Sequence, residues 1–193
     1  MVNNYKVNVI TGPLTQSLET GFSKAVDRLD GAKYELIAYL GSQAINCGIN
    51  HAFLVKQSFI DNNLKNVCLM ILNEKSDDVG GNTFRIVSIE QVLSDDSEFG
   101  ALKINVSINI SEDAMTTFER YFGKGSGYVG SLIKPFALLG KQMVHGLAYI
   151  FAVESTMIIS PKDQKFISAP KSVQLIKLYS NFSEVEFIPI LNY

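Results

Sequence analysis

The sequence predicts an α+β protein built of two tandem β-α-β-β-β-β units, each an antiparallel sheet wrapped around one helix, at residues 1–95 and 100–193. Three observations lead there. A segment occurs twice: Leu40-Gly41-Ser42-Gln43 leads to Gly48 and Phe53, and Leu139-Gly140-Lys141-Gln142 leads to Gly146 and Phe151. Each copy opens with a run of period two, the signature of a half-buried strand, and passes into a run of helical period. Each then continues as alternating segments separated by turn residues.

In the first copy Tyr5, Val7 and Val9 alternate with Lys6 and Asn8. The helix that follows carries Leu14, Leu18, Phe22, Val26 and Leu29 on one face after a Gly12-Pro13 start, where the missing proline N–H costs nothing. Gly31 is expected to stop it. Four strands are predicted at about Tyr34 to Ala44, Ile49 to Phe59, Asn66 to Leu72 and Thr83 to Val92. The turns between them hold Asn-Cys-Gly, Asp-Asn-Asn and Asp-Asp-Val-Gly-Gly-Asn, ordinary hairpin chemistry.

The second copy opens more regularly, with Leu102, Ile104, Val106, Ile108 and Ile110 interleaved with polar residues. Ser111 is placed to cap the next helix, and Glu112 and Asp113 suit the positive end of its dipole. Met115, Phe118, Tyr121 and Phe122 form its stripe, and Gly123, Gly125 and Gly127 follow. Strands are predicted at Leu132 to Met143, Leu147 to Ile158, Val173 to Tyr179 and Glu184 to Ile190. The polar stretch Leu93 to Gly100, with Asp95, Asp96 and Glu98, is the expected boundary between copies. The offset between copies is 99 residues at Leu40/Leu139 and 98 from Gly48/Gly146 onward, so the first copy has one more residue in its turn.

One strand, a helix and four antiparallel strands, with glutamine and glycine about the turn joining the second and third strands, resembles the cystatin family. Gln142-Met143-Val144-His145-Gly146 fits that family's Gln-x-Val-x-Gly pattern, and Tyr149, Phe151 and Val153 resemble its Gly-x-x-Tyr-x-Phe-x-Val rhythm. The first copy departs from it: Gln43-Ala44-Ile45-Asn46-Cys47-Gly48 has an inserted residue and isoleucine for valine.

The resemblance implies a non-enzymatic protein that binds another protein, with inhibition of a papain-like cysteine peptidase as the specific form. In such inhibitors a glycine-bearing N-terminal arm, the Gln-x-Val-x-Gly turn and a second turn with Pro-Trp form a wedge. Here the resemblance assigns the turn to Gln142, Met143, Val144, His145 and Gly146, the arm to Phe99 and Gly100, and the second contact to Pro161. Met143 and Val144 would fill the cleft. The chain has no tryptophan, so the usual aromatic anchor is absent. Tandem units without the wedge are known in the similar latexin type of carboxypeptidase inhibitor. The alternative, of another class, is an assembly protein that self-associates through exposed sheet edges, with copies of itself as partners.

Composition narrows the remaining classes. A net charge of −2 and three scattered arginines, Arg28, Arg85 and Arg120, argue against nucleic acid as a partner. Apolar runs such as Val67 to Leu72 are too short to span a bilayer, so no membrane partner is expected. Met1 to Ile10 reads as a strand and lacks a signal peptide's charged start and apolar stretch, which points to a cytoplasmic chain, or a secreted one already processed. Cys47, at a turn, and Cys68, inside an apolar strand, are expected at different ends of the sheet and unpaired.

Catalysis and cofactors are not expected. Cys47 and His51 share a face of an extended hairpin but stand about 13 Å apart at ~3.3 Å per residue, beyond the reach of a nucleophile and its base. His51 reads instead as the counterpart of Tyr149. Two histidines and two cysteines on separate elements do not make a metal site. Asp77-Asp78 with Gly80-Gly81-Asn82 lacks the oxygen spacing of a calcium loop. Gly12-Pro13 lacks the further glycines and lysine of a phosphate loop. An enzyme pocket between helix and sheet would need polar residues at inward positions, which read mostly as Val, Ile, Leu and Phe.

Overall fold

A computed structural model describes residues 5–76, 81–95, 101–126, 129–143, 146–160, 168–181 and 184–191. The chain divides into two compact units, Met1–Asp96 and Ser97–Tyr193. The first contains β1 (Lys6–Ile10), α1 (Gln16–Val26), β2 (Ala32–Ile45), β3 (Gly48–Phe59), β4 (Lys65–Ser76) and β5 (Asn82–Ser94). The second contains β6 (Lys103–Ser107), α2 (Glu112–Phe122), β7 (Ser131–Met143), β8 (Leu147–Met157), β9 (Lys171–Tyr179) and β10 (Val185–Leu191). Strand order is β1-β2-β3-β4-β5 in one sheet and β10-β9-β8-β7-β6 in the other, with every neighbouring pair whose register is described antiparallel.

The expected α+β class, two β-α-β-β-β-β units each wrapped around a helix, is corrected by these proportions. Of the described residues 61% are strand and 13% helix, so the protein is mostly β, two five-stranded antiparallel sheets with two short helices. The physical reason is length. Each helix has 11 residues and is about 16 Å long. β2 has 14 residues and spans about 46 Å, so a helix covers only part of its sheet.

The sequence overestimates α1 because Leu14 and Leu29 keep the helical period beyond its ends. Thr15 takes the N-cap position, and the helix ends at Val26, before Gly31. Ser111 is the N-cap residue of α2, but its side chain makes no capping hydrogen bond. Its carbonyl accepts from Met115 N–H at 2.9 Å. The buried face of α2 is Ala114, Thr117 and Phe118, with Met115 only half-buried.

Each helix closes an apolar cluster over one sheet face. In the first unit Phe22 and Ala25 meet Tyr39, Phe53, Val55, Cys68, Met70 and Leu72. In the second Ala114 and Phe118 meet Leu138, Tyr149, Phe151, Val153, Ile176 and Leu178. Ring pairs Phe22–Phe53 and Phe118–Phe151 both have centroids 5.4 Å apart. The central strands β3, β4 and β8 are buried on both faces over several consecutive residues, which explains their near-continuous apolar runs.

The repeated Leu-Gly-x-Gln element marks a bulge. Register shifts fall at Leu36/Ala38 and Tyr39/Gly41 in β2, and at Pro135/Ala137 and Leu138/Gly140 in β7. A bulge bends its strand and re-aims the side chains beyond it. At the bend the first strand of each unit passes too close for a side chain: a Cβ on Gly41 would lie 2.3 Å from the Lys6 carbonyl oxygen, and one on Gly140 2.5 Å from that of Lys103. The repeat therefore records a backbone approach needed twice.

Candidate functional site

The β7–β8 hairpin ends with Met143 opposite Leu147, after Gln142 opposite Ala148. Gly146 closes it at φ 127°, in the left-handed region that glycine enters at low cost. Met143 is 66% exposed, a large apolar side chain left in solvent at the hairpin's end. Gln142 is half-buried. The base of the turn is held from the neighbouring strand: Ser180 N–H donates to the Leu147 carbonyl at 2.8 Å, and the Asn181 side chain lies beside Gly146.

Of the residues assigned to the surface, Gln142, Met143 and Gly146 are brought together by this hairpin. Val144, His145, Phe99, Gly100 and Pro161 lie outside the described residues. Lys103 pairs with Lys141, so β6 begins beside the end of β7 that carries the turn. The 158–170 connection, in which Pro161 falls, leaves β8 after Met157, at the end opposite Leu147 and about 33 Å away along the strand. The connection that neighbours the turn is instead the one between β9 and β10, where Asn181 stands.

The Tyr149, Phe151 and Val153 rhythm belongs to the core. All three are buried against α2, because alternate residues of β8 face the helix. Burial raises the pKa of the Tyr149 hydroxyl, and the Asp113 charge adds to the rise.

A second arrangement, in the first unit, is one the sequence analysis missed. His51 is 6% exposed and sits at the position on β3 that Tyr149 occupies on β8, two residues before the buried phenylalanine. Its Nε2 lies 2.8 Å from Glu74 Oε2, and the Tyr39 hydroxyl is 3.2 Å from Nδ1. A carboxylate only accepts, so Nε2 carries a proton, and a neutral ring then accepts the Tyr39 O–H at Nδ1. Asn82 Nδ2 donates to the other Glu74 oxygen at 2.7 Å. Burial raises the Tyr39 pKa; a hydrogen bond with Ser42 opposes the rise and the Glu74 charge adds to it.

This chain of groups orients the His51 imidazole through its bonds to Tyr39 and Glu74. Cys47 is exposed at the β2–β3 turn. Among the described residues no group of three or more His, Cys, Asp or Glu side chains could hold a metal ion. The signal for the network was parity: Cys68, Met70 and Leu72 face inward on β4, so Glu74 continues their face, just as His51 continues that of Phe53 and Val55.

A further polar cluster surrounds Asn66, 6% exposed at the other end of β4. Its Nδ2 donates to Gln57 Oε1 and Gln91 Oε1, and its Oδ1 accepts from Ser94. The Cys68 thiol donates to Gln57 Oε1 at 3.6 Å, and burial pushes its pKa up to about 11. The thiol is therefore protonated at neutral pH and a poor nucleophile.

No family model, curated protein or solved structure matches this chain. No helix among the described residues is long and apolar enough to cross a membrane.

Proposed function

We propose that the chain is a non-enzymatic protein that binds another protein through the β7–β8 hairpin end of its second unit, with a papain-like cysteine peptidase as the partner. The observation that carries this reading is Met143, 66% exposed at the end of a hairpin whose base is tied down by Ser180. An exposed apolar side chain on a strand end held by its neighbours loses less conformational freedom when it enters a cleft. The likeness of Gln142 to Gly146 to the cystatin turn supplies the partner class. Inhibition would proceed by occlusion: the hairpin lies across the peptidase cleft and keeps a scissile bond from the catalytic thiol.

The test is a panel of papain-like peptidases and metallocarboxypeptidases assayed with the wild-type chain and Met143→Glu. Inhibition of a papain-like member, weakened about tenfold or more by the substitution, is the expected result. Equal potency of the two proteins removes the hairpin from the mechanism, and no inhibition across the panel removes the peptidase.

The assembly reading has one observation in its favour. β5 lies at the end of its sheet's strand order, runs for 13 residues and exposes 57% of Val87. The other terminal strands offer less. β1 and β6 have five residues each, and β10 carries Pro189, which has no N–H to donate. Self-association through β5 predicts particles that grow with concentration in light scattering and shrink in Val87→Lys.

A further inference from the structure

The first unit has a groove between α1 and the start of β5. One chamber, of about 380 Å³, is lined by Gln16, Ser17, Thr20, Gly21, Lys24, Asn82 and Phe84. A second, of about 210 Å³, shares Gly21, Lys24, Asn82 and Phe84 and adds Arg28 and Thr83. Its floor exists because residue 21 is glycine: a Cβ there would meet the Phe84 ring at 2.5 Å. On α2 the residue five places from the helix start is Thr117, buried, with its hydroxyl donating to the Asp113 carbonyl.

The lining is cationic and polar. Lys24 stands in the last turn of α1 and Arg28 just past its end, both line the second chamber, and no ion pair holds either among the described residues. The hydroxyls of Ser17 and Thr20 stand on the same helix. None of the described lining residues is a carboxylate. Glu74, which is hydrogen-bonded to Asn82 of the groove wall, has both oxygens engaged, one by His51 and one by Asn82. That engagement fixes the Asn82 amide in the groove wall, so the buried Tyr39–His51–Glu74 chain positions a surface side chain.

We propose that this groove binds a small oxyanion, the carboxylate or phosphate group of a low-molecular-weight ligand, between Lys24 and Arg28 on one side and Asn82 on the other. In the second chamber Lys24 and Arg28 line the same space as the Asn82 amide, a set that suits a charge-assisted, hydrogen-bonded anion, and the first chamber extends it to the Ser17 and Thr20 hydroxyls. The site is independent of the β7–β8 hairpin and of any peptidase.

The experiment is a ¹H–¹⁵N NMR titration of the full chain with inorganic phosphate and, separately, with benzoate. Saturable shifts confined to residues 16–28 and 82–84 with either probe, and weakened about tenfold or more in Lys24→Glu/Arg28→Glu, are expected. Phosphate alone would mark a purely electrostatic site, benzoate alone one that uses the Phe84 floor; both results support the proposal. Shifts that do not saturate, that spread equally over the second unit, or that persist in the double variant overturn it. Lys134→Glu, a charge reversal in the second unit, should leave the titration unchanged; an equal loss there also overturns it.

Discussion

The two units differ most at the far end of their last hairpins. In the first, β4 and β5 continue past the Leu72–Ile86 pair through Asn73–Arg85, Glu74–Phe84, Lys75–Thr83 and Ser76–Asn82. In the second, Leu178 pairs with Val185 and β9 ends one residue later, at Tyr179. The longer hairpin carries Glu74 and Asn82 to the inward end of β3, where His51 can be buried with a partner for each ring nitrogen. The carboxylate of the shorter one, Glu184, acts on Tyr121, and the position matching His51 holds Tyr149. There the helix is fastened to the strand end instead: Arg120 donates to the Ser180 carbonyl at 2.6 Å and Tyr121 to that of Tyr179 at 2.8 Å. A few residues of hairpin thus decide whether a sheet's end can hold a buried histidine hydrogen-bonded to a carboxylate, which needs its partners supplied from neighbouring strands.

The largest expected effect tests where the units are alike. Gly41→Ala places a methyl group against the Lys6 carbonyl at a backbone φ of 148°, and Gly140→Ala does the same against Lys103 without the positive φ. Neither obstruction is a side chain that can turn aside. Gly41→Ala should cost about 3 kcal/mol or more in urea denaturation and Gly140→Ala somewhat less. A cost under about 1 kcal/mol at both positions would show that the shared bulge does not require glycine.

Next in size is the substitution that addresses the difference. His51→Ala leaves the Oε2 of Glu74, whose side chain is 16% exposed, without its donor, and should cost about 3 kcal/mol. In a double-mutant cycle His51→Ala/Glu74→Ala should be little worse than His51→Ala alone, because the removed carboxylate no longer needs a partner. Tyr149→Phe, which keeps the ring and deletes only the hydroxyl, should cost well under 1 kcal/mol. Additive losses for His51 and Glu74 would mean that the two do not act as a pair.

Alkaline pH separates the units by a different route. Cys68 titrates near 11 in the folded protein, against 9.0 for an ordinary thiol, because burial disfavours the thiolate. The unfolded chain therefore releases this proton first, and stability present below pH 9 falls as pH rises toward 11. In the second unit's ladder the place of Cys68, opposite Val55, is taken by Gln174, opposite Val153, which does not titrate. Cys68→Ala should flatten the thermal midpoint between pH 9 and 11, and an undiminished slope would assign it to the buried tyrosines. At neutral pH a thiol reagent should label exposed Cys47 and spare Cys68.

Much of this organisation was legible in residue order. The alternation of Ile104 and Val106, the stripe of Phe118 and Phe122, and the pairing of turn residues placed each strand within a few positions. The class was misjudged because periodicity reports a helix's face and says little about how much of a 14-residue strand that face can cover. The hairpin assigned to binding can be located from Gln142 and Gly146, but the sequence alone does not show that the connection holding Pro161 leaves β8 at the strand end opposite that turn. His51 reads in the sequence as the counterpart of Tyr149, and its partner is not evident there because Glu74 follows an apolar run and so looks like a solvated end. Inward parity at the last position of a strand is the signal for such a pair, but it becomes a contact only once register places Asn50 opposite Asn73 and His51 opposite Leu72.

The smallest effect on folding is expected at the β7–β8 turn, where its counterpart at β2–β3 provides the contrast. Both turns carry a glycine at positive φ, Gly48 at 119° and Gly146 at 127°. A Cβ on Gly48 would lie 2.1 Å from the Glu74 carbonyl oxygen, whereas among the described residues one on Gly146 would first meet the Asn181 side chain, at 3.1 Å. The first turn is locked against the neighbouring backbone and the second has room, since an amide side chain can rotate away. Gly146→Ala should therefore cost about 1 kcal/mol, the backbone strain alone, and Gly48→Ala clearly more. Met143→Glu replaces an exposed side chain and should change stability by no more than about 0.5 kcal/mol. A turn free to vary without unfolding its unit is one whose residues can answer to a partner; if Met143→Glu unfolds the second unit in circular dichroism, Met143 serves the fold and the hairpin loses its claim to a binding surface.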